Sequence, residues 1–216
     1  MWNRAIVVSM LSFLVSACVQ EYEMFGSSTK KPIEEKMAEW LSHPAEFGVA
    51  PKSVSFIKTY NAKLISYGNV QIHLVSYTMP DGTVGRGFVN GGLTWSFLGS
   101  DLNAISDDDL FQAYCGWAWL FPALQDGSVQ NKFESSGEEE RFFDKLKKEG
   151  YSDIHPGGRY KIGTSELTEF RTKRNGTDFR GVGDTNSDLV FPASDPRFNL
   201  PSIYFFLGQQ IVQSVN

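Results

Sequence analysis

Cysteine is nearly absent from this chain, and so is any long apolar run. Two cysteines in 216 residues, Cys18 and Cys115, cannot build the dense disulfide framework that holds small exported domains together. No uninterrupted apolar stretch reaches the roughly 18 residues that a spanning helix needs, which excludes polytopic membrane insertion. Basic charge is also in short supply. Lys and Arg number 20 against 25 Asp and Glu, a formal net charge of -5, and they are scattered along the chain. The electrostatic footprint of a phosphate-backbone binder is missing, so nucleic acid is not an expected partner. The histidines are 3: His43, His73 and His155, none at the close spacings of zinc motifs, and no metal centre or cofactor is expected. GxSxG, SxxK and P-loop patterns are absent too, so no catalytic motif marks an enzyme.

What the chain does have is apolar material: 41% hydrophobic and 14% aromatic side chains, enough to bury a core without a disulfide. It also has an address. Arg4 followed by the mostly apolar stretch Ala5 to Val15 has the basic-then-hydrophobic order of a secretory signal. Leu14, Val15, Ser16, Ala17 and Cys18 resemble the lipobox of bacterial lipoproteins, a resemblance that covers residues 1–20 only. It implies removal of 1–17, acylation of Cys18 and attachment to a membrane through a lipid anchor. Val19, rather than Asp, after that cysteine implies sorting to the outer membrane, facing the periplasm. Two or three acyl chains anchor far more firmly than one, each buried methylene adding about 0.8 kcal/mol. Residues 18–32 then read as a polar tether spanning about 20 Å.

In the body, Ile33, Met37, Trp40 and Leu41 predict an amphipathic helix opened by Pro32 and ending before Pro44. Segments 53–60, 62–67, 70–79, 83–89 and 93–98 read as up to five strands. The turns between them, marked by Gly68–Asn69, Pro80–Gly82 and Gly91–Gly92, are too short for parallel crossovers, so an antiparallel meander is expected. Ser106 with Asp109 resembles a capping box. Leu110, Phe111, Tyr114, Trp117, Ala118 and Phe121 form a stripe halted by Pro122, a helix expected to cover the meander. Ser136 with Glu139 caps another helix, facing Phe142, Phe143 and Leu146 inward and ended by Gly150. A Pro-Gly-Gly turn follows His155. Asn175–Gly176, between Leu167–Arg174 and Thr177–Val182, is the strongest hairpin signal and predicts a second small sheet. Residues 201–215 predict a docking helix. The fold class expected is α+β: signal 1–17, tether 18–32, helix, meander and covering helix over 33–124, and a smaller helix, hairpin and helix section over 136–216, with one continuous body 33–216 as the alternative.

Several constellations could carry chemistry. Cys115 sits among aromatics, a place for a small core residue rather than a reactive thiol. The acidic triplets at 107–109 and 138–140 open helices, where the dipole stabilises them. Asp184, Asn186 and Asp188 alternate like the opening of a calcium loop, but Leu189 occupies the position of the turn glycine and an apolar strand follows, so a locally hydrogen-bonded polar loop is the stronger reading. Trp117 and Trp119 cannot both face one core. One of them, Trp119 as the candidate, would be an exposed platform, and His73 would lie on the open face of the meander. The expected function is that of a membrane-anchored, non-catalytic protein-interaction module, an envelope accessory or assembly factor or an immunity-type protein, with an envelope protein as partner. The alternatives are a glycan- or lipid-binding lipoprotein with an aromatic groove, or an envelope hydrolase with dispersed catalytic residues.

Overall fold

The computed structural model describes residues 51–65, 67–92, 96–131, 134–187, 189–194 and 200–215, together with Glu35 and Glu39, which are helical and exposed. The signal, Cys18, the tether and the rest of the predicted N-terminal helix lie outside the described residues. By its internal contacts the chain divides into two compact units, with the break between Ala104 and Ile105 and the residues after Val212 returning to the first unit. The fold is α+β.

The first unit is built on a sheet of order β10-β1-β2-β3-β4. Its strands are β1 (Ser53–Leu64), β2 (Gly68–Thr78), β3 (Val84–Asn90), β4 (Ser96–Gly99) and β10 (Val212–Val215). β1 to β4 pair antiparallel in chain order, which is the predicted meander. Two of the expected strands are one, however: β1 runs through Asn61, whose side chain accepts a hydrogen bond from Gln71 Nε2 across the ladder. Pairing at the expected break is regular, with Tyr60, Asn61 and Ala62 opposite Ile72, Gln71 and Val70, and the one register shift in this ladder is a bulge between Phe56 and Lys58. The turn at 80–82 forms as expected, with Gly82 at φ 89 and the Asp81 carboxylate accepting the Thr83 amide.

The second unit carries a sheet of order β5-β6-β7-β8-β9, formed by Val129–Asn131, Tyr151–Ile162, Ser165–Arg174, Thr177–Asp184 and Leu189–Ser194. It is larger than the hairpin predicted. His155 and the following Pro-Gly-Gly do not turn the chain: they lie inside β6, which keeps pairing with β7 by means of two register irregularities, at 152–155 and 156–159. The Asn175–Gly176 turn is as expected. Both residues have positive φ, 52 and 78, the requirement of a type I′ turn, and Arg174 pairs with Thr177. Gly176→Val should destabilise the protein by about 1–2 kcal/mol in denaturant titration, because a β-branched residue resists this backbone conformation. A neutral result would contradict the turn geometry.

Among the described residues this unit holds three helices: α1 (Asp107–Gln125), α2 (Gly137–Lys148) and α3 (Ser202–Ile211). Both predicted caps form. Ser106 Oγ accepts the Asp109 amide and donates to the Asp109 carboxylate, and Ser136 Oγ accepts the Glu139 amide. Pro122 does not halt α1. It costs one intrahelical bond in the last turn, and its own carbonyl accepts the Asp126 amide beyond the end. Nor does α1 show one stripe: Ala113, Cys115, Gly116 and Trp119 are buried along with Leu110, Phe111 and Tyr114, while Phe121 is exposed. α1, expected as the cover of the meander, packs on α3 within the second unit. The reason is a pair of glycines. A Cβ on Gly116 would collide with the Tyr204 carbonyl, and one on Gly208 with the Gln112 carbonyl, so the two backbones lie in direct contact. The chain after α3 is extended rather than helical: Val212–Val215 form β10, and Val215 is exposed.

Candidate functional site

Alternation along β7 puts Glu169, Arg171 and Lys173 on one face of the second sheet, and Thr168, Phe170 and Thr172 on the other. The second set faces the core: Phe170 packs with Phe142 and Leu146 of α2. The first set is the more polar, and register lines it up across the strands. Arg171 stands directly opposite Arg180 of β8 on one side and His155 of β6 on the other. Lys173 stands opposite Asp178, and its ammonium lies 3.6 Å from Asp153. His155, Glu169, Arg171 and Arg180, with Pro156 and Ser202, line a cavity of about 430 Å³. A second recess of about 320 Å³ shares His155, Arg171 and Arg180.

Glu169 is committed to the fold. Pro201 precedes α3 and supplies no side-chain cap, and the Glu169 carboxylate takes that place from β7. Its Oε1 accepts the Ile203 amide at 2.8 Å, and its Oε2 accepts the Tyr160 hydroxyl at 3.3 Å. Burial raises the Glu169 pKa, and the amides of Ile203, Gly158 and Ser202 with the Tyr160 hydroxyl offset this only in part. Burial first and then the Glu169 charge raise the Tyr160 and Tyr204 phenols as well. Arg180 donates to the Leu200 carbonyl, and its pKa is lowered by burial and by the facing Arg171 charge, with Glu169 acting in the opposite sense. Two like charges directly across an antiparallel pair are destabilising.

On the opposite face, Glu139 is more than a residue stabilised by a helix dipole. It is buried, accepts both Nε and Nη2 of Arg159 at 2.7 and 2.8 Å, and accepts the Thr168 hydroxyl at 2.8 Å. Burial pushes its pKa up, but those hydrogen bonds and the Arg159 charge outweigh burial and hold it below the ordinary range.

Other sequence candidates fall differently. His73 is buried, at 3% exposure, and not on an open face. β2 is buried on both faces along its middle, and on the His73 side Val75 and Val89 form a cluster joined by Phe56 and Leu98. Thr59 Oγ1 bonds the ring at Nδ1, 2.9 Å away, while Nε2 has no hydrogen-bond partner among the described residues. Burial lowers the His73 pKa from 6.5. The unfolded chain therefore binds a proton that the folded chain refuses, and stability should fall as pH drops below about 6.5, levelling off once the folded-state pKa is passed. Denaturant titrations across that range should show the slope, and His73→Phe should flatten it.

Trp119 is likewise no platform. It is 6% exposed, and Trp117, stacked with Phe121, is the half-buried member of the pair. Cys115 is buried and its thiol pKa is pushed up by burial, which leaves it protonated and inert near neutrality. The Asp184 carboxylate accepts the Ser165 hydroxyl and the Asn186 amide, and Asn186 Nδ2 donates to the Thr164 carbonyl, so both side chains serve the local turn; Asp188 lies outside the described residues.

The sequence reading missed Glu169, Arg171 and Arg180. The signal that could have found them is charge at every second position of the two hairpin arms. Compared with known proteins, the chain matches no family model, no curated protein and no solved structure.

Proposed function

We propose that this protein is a lipid-anchored envelope lipoprotein, attached through Cys18 to the outer membrane on its periplasmic face, and that it works without catalysis by holding another envelope protein. The lipobox-like segment supports the anchor, and residues 1–17 would be removed with it. The observation that carries the contact reading is the row His155, Arg171 and Arg180 across three strands, opening on a cavity of about 430 Å³. Crosslinking in the native envelope followed by capture of the protein should return one dominant protein partner. Intact mass of the captured chain should show loss of 1–17 and gain of acyl mass. Recovery of the chain alone after crosslinking would refute the contact reading, and an unmodified chain beginning at Met1 would refute the anchor.

A second reading has an observation of its own. The same cavity gathers an imidazole, a carboxylate and a hydroxyl, from His155, Glu169 and Ser202, the residue types of a hydrolase. Against it, the two oxygens of Glu169 are held by Ile203 and Tyr160, and Ser202 is buried. No hydrogen bond joins His155 to either residue among the described residues. Fluorophosphonate labelling that maps to Ser202 would move the hydrolase reading to the front.

A further inference from the structure

We infer that the cleft between Arg171 and Arg180 is a binding site for a side-chain carboxylate on a peptide, so that the partner presents an acidic side chain to it. The inference rests on the reading of this cleft as the contact surface. Facing arginines on neighbouring strands are about 5 Å apart at the backbone and repel each other, unless an anion lies between them. The fold offers no anion for Arg171. Its guanidinium is exposed and enters no hydrogen bond or ion pair among the described residues. Glu169, the carboxylate in the same cavity, spends its oxygens on the start of α3 and on Tyr160. Two planar guanidinium forks are suited to a planar carboxylate, which they can grip in bidentate fashion.

The lining separates carboxylate from phosphate. Glu169 adjoins the site, and Asp153 and Asp178 stand by Lys173 at its side. The second charge of a phosphate dianion would strengthen attraction to the arginines and repulsion from these acids alike, so it brings no clear advantage there. Pro156, Leu200 and Pro201 supply apolar lining beside the arginines, the surroundings required by the stem that carries an acidic group rather than by a free ion. The cavity, about 430 Å³, accommodates one or two residues of a partner.

The test uses the full chain in detergent with a fluorescently labelled hexapeptide of alternating Glu and Leu, its Gln counterpart, and glutarate and inorganic phosphate as competitors. The Glu peptide should bind at least tenfold more tightly than the Gln peptide, and glutarate should displace it at lower concentration than phosphate. Arg171→Gln should weaken the Glu peptide tenfold or more with a thermal midpoint that does not fall, since that side chain is exposed and its removal relieves the repulsion from Arg180. Arg171→Glu should turn the preference toward a Lys peptide. Equal affinity for the Glu and Gln peptides, displacement by phosphate at least as good as by glutarate, or insensitivity to Arg171→Gln would each overturn the assignment. Repeating the envelope crosslinking with Arg171→Gln separates the two levels. A partner still captured means that the acid site is wrong while the contact reading stands, and a partner lost supports both.

Discussion

Gly208→Ala should be among the most damaging single-atom additions the protein can suffer. The added methyl would be driven into the carbonyl of Gln112 on the facing helix, and Gly116→Ala would do the same to the carbonyl of Tyr204. A flexible side chain could move aside, but these are main-chain atoms inside the hydrogen-bonded ladders of α1 and α3. The helices must separate, and separation opens gaps around Leu110, Tyr114, Ile203 and Leu207, all buried. Overpacking ordinarily costs about 1–3 kcal/mol and here should reach the top of that range or exceed it. At about 2–4 °C per kcal/mol for a chain of this size, the thermal midpoint should fall by about 10 °C. Gly137→Ala is the control. A Cβ there meets nothing within 4 Å, so it should leave stability unchanged or raise it by about 0.4–1 kcal/mol. Equal effects of Gly208→Ala and Gly137→Ala would refute the backbone-to-backbone contact.

Glu139→Ala should be comparably severe by a different route. Glu139 is held by a bidentate Arg159 and by the Thr168 hydroxyl, with side-chain exposures of 4% for Glu139 and 20% for Arg159. Deleting the carboxylate leaves a largely buried cation and a buried hydroxyl without their acceptor. Breaking a buried pair from one side costs about 3–5 kcal/mol, most of it the penalty of the charge left behind. Glu139→Gln, which keeps an acceptor but not the charge, should cost less, and Glu139→Leu combined with Arg159→Met should recover part of the loss. A double variant no better than Glu139→Ala would mean that the pair does not act as a unit. The pH dependence has a definite sign. With its pKa held below that of the unfolded chain, Glu139 contributes stability that is complete above the ordinary carboxylate range and is lost as pH falls through the folded value. The His73 loss sets in below about 6.5 and the Glu139 loss only within and below the ordinary carboxylate range, so the two have different onsets in a single pH series.

How far the sequence led depended on whether geometry was local. Capping at Ser106 and Ser136, the Asn175–Gly176 turn and the chain-order pairing of β1 to β4 all follow from a few neighbouring residues. Once the two-residue turn is placed, pairing Arg174 with Thr177 dictates that Lys173 meets Asp178 and Arg171 meets Arg180, so half of the cleft is contained in the hairpin alone. His155 is different. Two register irregularities in β6 separate it from the nearest regular pairing, and nothing local states how many residues each one absorbs. His73 and Trp119 were misplaced for a related reason. Period tells which residues share a face but not whether that face is covered, and β2 and α1 are both buried on more than one side. The role of Glu169 was beyond local reading altogether, since a helix whose cap is supplied by a strand far away in sequence leaves no motif.

The pairing of β10 with β1 has a consequence for the order in which this protein can be assembled. A chain that emerges from its N-terminus presents β1 early, while the strand that covers its outer edge arrives only after the whole second unit has passed. As the chain emerges the first sheet must wait with a bare, hydrogen-bond-hungry edge, the condition under which sheets recruit the wrong neighbour. Lys58 and Lys63 on β1 are charges of the kind that discourage such pairing. Among the described residues the second unit runs without a break from Ile105 to Val212 and needs no such delay, so it should be protected from proteases first, with the first sheet sealed last.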